Sequence, residues 1–276
     1  IIGDEAGSFA LSEEGILTLQ TAANFEVKTS YVVKVEANDG VNTTVQAITV
    51  SVYDLNDNAP VFADVNYDIS IVENTKGPTL LETTDADAGS TVTYSLSGAD
   101  AADFEIVNNT LALKEAADFE TKSSYAVTVT ASDGKNTTPQ AVTYTITDAN
   151  DNAPVFTSNS AFTFDENATS AITTITTTDE DTDSVVTYQI TGGTDGARFA
   201  VNSTTGVLTF SGFIPDFENP LFSNDNDYEV TVTASDGTNT TNQTITVSVN
   251  DLNDNAPVFT SNASVSIDEN TTDVVT

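Results

Sequence analysis

Cysteine, methionine, tryptophan and histidine are all missing from this chain of 276 residues. Without cysteine there is no disulfide framework, so stability must come from packing or from bound metal. Without cysteine and histidine the common nucleophile–base dyads and triads cannot be assembled. Zinc or copper would find no sulfur or imidazole ligand either. Basic residues are scarce: 7 Lys and Arg stand against 42 Asp and Glu, a formal charge of −35. Such a balance repels nucleic acid and anionic lipid and attracts cations. No apolar run approaches the ~18 residues of a membrane span, so no direct membrane insertion of this segment is expected. The opening Ile1-Ile2-Gly3-Asp4-Glu5 has none of the basic start of a signal peptide. Targeting and anchoring parts are expected outside this sequence.

What is present is order in register. Hydrophobic residues still make up 38% of the chain, and they fall in patterned strands, unlike the usual disordered acidic chain. The string Asp-x-Asn-Asp-Asn-Ala-Pro-Val-Phe occurs three times, beginning at Asp54, Asp148 and Asp251. Asp-Gly pairs keep step at Asp39, Asp133 and Asp236, and Phe-Glu pairs at Phe25, Phe119 and Phe217. A period of about a hundred residues is the size of one sandwich domain. The third unit is longer, with one insertion between Tyr188 and Glu218 and another at Asn219–Asn224.

Before each Asp-Gly pair the chain alternates with period two. Tyr31, Val33, Val35 and Ala37 share one face, as do Tyr125, Val127, Val129, Ala131 and Tyr228, Val230, Val232, Ala234. A second strand follows each turn, with Ile48, Val50, Val52 and Ile245, Val247, Val249 directed inward. Thr and Val favour strand over helix. The class is predicted to be all-β, with one face of each sheet packed and the other wet.

Recurring carboxylates at the unit ends are open to three readings: solvated turns, a glycosidase pair, or a metal site. An EF-hand fails on spacing, because Ala59 and Val65 stand where a loop beginning at Asp54 needs Gly and Glu. Oxygen ligands alone, many of them ionised, suit calcium, which takes six to eight of them at roughly 2.4 Å.

The Asp-x-Asn-Asp-Asn-x-Pro-x-Phe string with these companions resembles the linker of the cadherin family, and the resemblance spans essentially the whole chain. It implies tandem Greek-key, seven-stranded β-sandwiches of Ig-like architecture, joined by calcium-binding linkers. Expected bounds are a partial repeat at 1–58, repeats at 59–152 and 153–255, and the first strand of a fourth at 256–276. The resemblance assigns up to three calcium ions to a complete linker. For the one between repeats 2 and 3 the implied ligands are Glu73, Asp118, Glu120, Asp148, the Ala149 carbonyl, Asn150, Asp151, the Asn152 carbonyl, Asp179, Asp181 and Asp236. Eight carboxylates there face six positive charges of three ions. Unfilled, the seam should repel itself and hinge; filled, it should lock.

The first linker carries Glu26, Asp54, the Leu55 carbonyl, Asn56, Asp57, the Asn58 carbonyl, Asp85, Asp87 and Asp133, with Asn24 where the family has Asp. Weaker or fewer ions are expected there. The third carries Glu166, Asp216, Glu218, Asp251 and Asp254, and the chain stops before the next Asp-x-Asp. The loops Ala88-Gly89-Ser90 and Thr182-Asp183-Ser184 are shorter than the family's and have no Asn.

The implied function is a calcium-rigidified extracellular scaffold, stalk, adhesin or filament segment at the cell surface, without catalysis. The alternative is a carbohydrate- or protein-binding surface module. Expected partners are neighbouring repeats or other copies of the protein, with no nucleic acid. Exchange of a Trp-anchored strand is excluded by composition, and the Thr and Asn richness resembles microbial surface proteins. Nine Asn-x-Ser/Thr sequons, Asn42, Asn136, Asn202 and Asn239 among them, mark positions where a glycan could attach. The first unit lacks its first two strands and the tail supplies such a segment, so head-to-tail complementation is one expectation and an arbitrary window of a longer array is the other.

Overall fold

The computed structural model describes residues 1–222, 225–260, 264, 266–270 and 272. The expected strand of a fourth repeat at 256–276 lies partly outside them, as do Ser223 and Asn224 of the expected insertion. Among the described residues the elements are strands and three short 3-10 turns. No helix among them is long and apolar enough to cross a membrane.

The chain divides into two compact units, Ile1–Ala149 and Asn150–Thr276. In the first, the long pair Ser124–Ser132 and Thr137–Thr147 is the centre of a four-stranded sheet. Tyr67–Val72 joins it in parallel on one side and Thr93–Ser97 antiparallel on the other. The opposing sheet is formed by Phe104–Val107, Thr110–Leu113 and Thr79–Leu80. The second unit repeats this plan. Ala161–Asp165, Thr240–Asn250, Asp227–Ser235 and Thr187–Gly192 form its larger sheet, and Thr173–Thr174, Val207–Phe210 and Phe199–Val201 the smaller.

Alternation decides what is buried. Val127, Val129 and Ala131 enter the first core with Val142, Tyr144 and Ile146, while Tyr228, Val230, Val232 and Ala234 enter the second with Ile245, Val247 and Val249. Each core is a β-sandwich interior closed by edge-to-face aromatics such as Phe104 against Tyr144 and Phe210 against Tyr228. The pattern is weaker in Ser30–Asn38: Val33 is buried but Ala37 is exposed. Among the described residues that strand pairs with Thr43–Ser51 alone, apart from an isolated bridge between Ile2 and Lys34. Its apolar face is therefore only partly covered.

A detail that hydrophobic periodicity does not show is the splitting of the opening strands. Val61–Phe62 pairs with Thr83–Thr84, and the chain then crosses to the larger sheet as Tyr67–Val72. Val155–Phe156 and Ala161–Asp165 do the same in the second unit. The crossing carries the chain from each Asn-Ala-Pro end of the linker through a separate two-stranded pair to the larger sheet.

Candidate metal centre

Among the described residues, the buried polar or charged side chains are Glu73, Asp87, Glu166 and Asp181. Burying a carboxylate is unfavourable unless it is paired, hydrogen-bonded or bound to metal. All four belong to the set expected from the sequence.

The first linker lies within the first compact unit, and its acids converge from both sides. Carboxylate oxygens of Glu26, Asp57 and Asp87 lie within 4.8 Å of one another, as do those of Asp85, Asp87 and Asp133, so Asp87 is common to both groups. The fold positions Asp87 through an Asp-x-Asp turn in which its N–H donates to Asp85 Oδ1 at 2.9 Å. Asn58 then donates to Asp87 twice, from its N–H and its Nδ2. Asp54 Oδ2 accepts from the Ala88 N–H at 2.6 Å. Asp54 Oδ1 and Asp85 Oδ2 are shut off from solvent and have no hydrogen-bond donor. Leu55 exposes its side chain.

At the end of the same unit, Asn74 takes a left-handed conformation, φ 63°, that an Asn tolerates. The preceding Glu73 points inward, where its two oxygens accept from the Phe119 N–H at 2.8 Å and the Ala149 N–H at 2.7 Å. Glu73, Glu120 and Asp148 form a further oxygen group. The Glu120 carboxyl is lowered by its own N–H, but burial and the charges of Glu73, Asp148 and Asp118 outweigh this and raise it. Asp118 turns its Oδ1 to the Thr121 N–H. Asn24 makes the same bond to Val27, so the Asp-to-Asn departure leaves the turn intact.

The second unit opens on the counterpart of the first linker's cluster. Asp179, Asp181 and Asp236 bring oxygens within 4.8 Å, and Asn152 donates to Asp181 from its N–H and its Nδ2 at 3.0 Å each. Burial first, then the charges of Asp181 and Asp236, raises the Asp179 carboxyl. Asp179 Oδ2 has no hydrogen-bond donor. Asp151 is exposed. At the far end Glu166 repeats the part of Glu73: it accepts from Phe217 and Leu252, and these N–H groups hold its carboxyl below the usual range. Glu166, Asp216 and Glu218 share a group. Asp254 accepts from Asn167 Nδ2, and Asp251 is exposed.

Residues 160–250 match the cadherin domain family. Over 280 residues, 94% of this chain, the sequence is 32% identical to the mouse cadherin EGF LAG seven-pass G-type receptor 2. The chain belongs to the cadherin family. It spans 9% of that receptor's length. The fold is similar to mouse protocadherin-24 EC1-3, with a TM-score of 0.73, 22% identity, and coverage of 90% of this chain and 89% of that one. It is also similar to the protocadherin gammaB7 EC3-6 cis-dimer structure, with a TM-score of 0.72, 27% identity, and coverage of 92% and 64%.

In this cadherin chain two asparagines join the site that the linker string does not include. Asn136 Nδ2 donates to Asn56 Oδ1 at 2.8 Å, the Asn58 carbonyl at 2.7 Å and Asp133 Oδ2 at 3.1 Å. Asn239 Nδ2 donates to Asn150 Oδ1 at 2.9 Å and the Asn152 carbonyl at 3.0 Å. Their signal was legible as Asp-Gly-x-Asn, repeated at Asp39, Asp133 and Asp236, but the sequon reading claimed the same residues. The short loops after each Asp-x-Asp also share a device: Gly89 and Asp183 both take positive φ, 82° and 63°.

Proposed function

We propose that this segment is an extracellular spacer of a cell-surface adhesion protein, built of cadherin repeats at 59–152 and 153–255 and stiffened by calcium at its linkers. The observation that carries the reading is the first linker, where four carboxylates, those of Glu26, Asp85 and Asp133 from either side of the Asp-x-Asn-Asp-Asn string and of Asp57 within it, converge around the buried Asp87. Donorless, solvent-shielded oxygens on Asp54 and Asp85 fit a hard cation that takes oxygen ligands with loose geometry. Calcium would be held there by Glu26, Asp54, Asp57, Asp85, Asp87 and Asp133, with the Leu55 and Asn58 carbonyls and the Asn56 side chain. Around the next linker the proposed ligands are Glu73, Asp118, Glu120, Asp148 and Ala149 in the first unit, and Asn150, Asp151, Asn152, Asp179, Asp181 and Asp236 in the second. Glu166, Asp216, Glu218, Asp251 and Asp254 complete the set. The proposed role is to hold the adhesive parts of the protein away from the cell surface, with neighbouring repeats or other copies of the protein as its partners, and catalysis has no part in it.

Calcium titration by calorimetry, with limited proteolysis at the linkers, tests the proposal. Uptake of calcium should raise the melting temperature and protect residues 54–58 and 148–152 from cleavage. Asp151→Ala should remove much of the gain. A chain whose melting and cleavage are the same in calcium and in chelator would overturn the reading. Beads coated with the chain should aggregate in calcium only if the segment itself adheres, and stay dispersed if it is purely a spacer.

A further inference from the structure

The two Asp-Gly turns that face a linker are built alike. Asp133 Oδ1 accepts the N–H groups of Lys135 and Asn136, and Asp236 Oδ1 those of Thr238 and Asn239. Asn136 and Asn239 then clasp the linker in the same way, through the Asn56 and Asn150 side chains and the Asn58 and Asn152 carbonyls. Beyond these shared bonds the turns differ: Asn136 Nδ2 also donates to Asp133 Oδ2 at 3.1 Å whereas Asp236 Oδ2 has no donor, and Asn239 Nδ2 also reaches the Asn150 carbonyl at 3.4 Å. Only one difference is a charge. Lys135 Nζ donates to the Asn56 carbonyl at 2.5 Å, whereas the matching position in the second unit is the uncharged Thr238. The lysine ammonium is thereby fixed on the residue whose side chain is tied, through Asn136, to the cluster of Asp85, Asp87 and Asp133.

We infer that Lys135 is a tethered cation that sets the calcium affinity of the first linker below that of the Asp179, Asp181 and Asp236 cluster, so that the two load at different calcium concentrations. This rests on the calcium reading above. The physics is direct. A fixed positive charge beside the cluster offsets the mutual repulsion of its carboxylates when no divalent ion is present, and repels a doubly charged ion when one arrives. Lys135 is exposed and sits on the Asn56 carbonyl, not on a carboxylate, so water screens the repulsion to an effect of roughly three- to tenfold in affinity, and salt shrinks it further. No such charge stands at Thr238.

The test is calcium calorimetry on the full chain with melting curves in chelator. Lys135→Thr should tighten the weaker class of sites about three- to tenfold and lower the melting temperature of the calcium-free protein, two effects of opposite sign that a general loss of packing does not produce. Lys135→Arg keeps the charge and should keep the parental affinity. Thr238→Lys should weaken the tighter class by a similar factor. If the parent binds calcium but Lys135→Thr leaves the isotherm unchanged, or Lys135→Arg tightens it equally, the inference is overturned while the calcium reading stands. A parent chain that takes up no calcium overturns both.

Discussion

Asp87 holds Asn58 at two points: the Asn58 N–H donates to Oδ2 at 2.9 Å and its Nδ2 to Oδ1 at 2.7 Å. The bonds fix the end of the linker string against the Asp-x-Asp turn before any ion is considered. Replacing Asp87, only 5% exposed, with Ala leaves the Asn58 N–H without its acceptor and Asn58 Nδ2 with Asp57 Oδ1 as its remaining one. In chelator the unmatched donor costs roughly 1–3 kcal/mol, offset in part by relief of repulsion with Asp57, Asp85 and Asp133, so a net loss of about 1 kcal/mol is expected. Calcium should restore little of it, because the carboxylate shared by both oxygen groups is gone. Melting curves with and without calcium read both effects.

Glu166 accepts the N–H groups of Phe217 and Leu252, each at 2.7 Å, while 1% exposed. Glu166→Gln presents an amide nitrogen to one of two backbone donors, so one N–H is left facing a donor. A destabilisation of roughly 1–3 kcal/mol is expected in chelator. Chemical denaturation should show it in the second unit's transition, with Glu73→Gln giving the matching loss in the first.

Acid should expose one ion pair outside the linkers. Lys122 Nζ donates to Asp100 Oδ1 at 2.6 Å and the Ala126 N–H to Oδ2 at 2.7 Å. The lysine bond first, then the backbone bond, holds the Asp100 carboxyl below its ordinary range. A depressed folded value means the contribution is complete above the unfolded value of ~3.9 and disappears as pH falls through the folded one. The stability gap between the parent and Asp100→Asn should therefore be constant from pH 7 to 5 and close below about pH 4. With both partners near the surface, about 1 kcal/mol or less is expected. A gap unchanged down to pH 2 would refute the pairing.

Gly206 sits at φ +70°, and a Cβ there would lie 2.3 Å from the Ile175 carbonyl oxygen. Gly212, at φ +82°, has open space around it. Gly206→Ala should cost on the order of 3 kcal/mol or more, through clash as well as strain, whereas Gly212→Ala pays only the left-handed strain of roughly 1–2 kcal/mol. Equal melting temperatures for the two variants would show that the close approach is absent.

The three linker strings, the Asp-Gly turns and the period-two faces of Tyr125–Ala131 and Tyr228–Ala234 were legible in sequence alone, because each depends on local spacing that side-chain alternation converts directly into direction. Which carboxylates belong together was implied by the family resemblance of the linker string, and neither it nor the spacing could show how they are held. That Glu73 and Glu166 take their positions from backbone N–H groups of two other segments each, that Ala37 stays exposed where Ala131 and Ala234 are buried, and that Asn136 clasps the linker instead of lying free on a turn were decided by tertiary structure. These depend on contacts between residues tens of positions apart. Such contacts are set by how the sheets pack, and no local pattern encodes them.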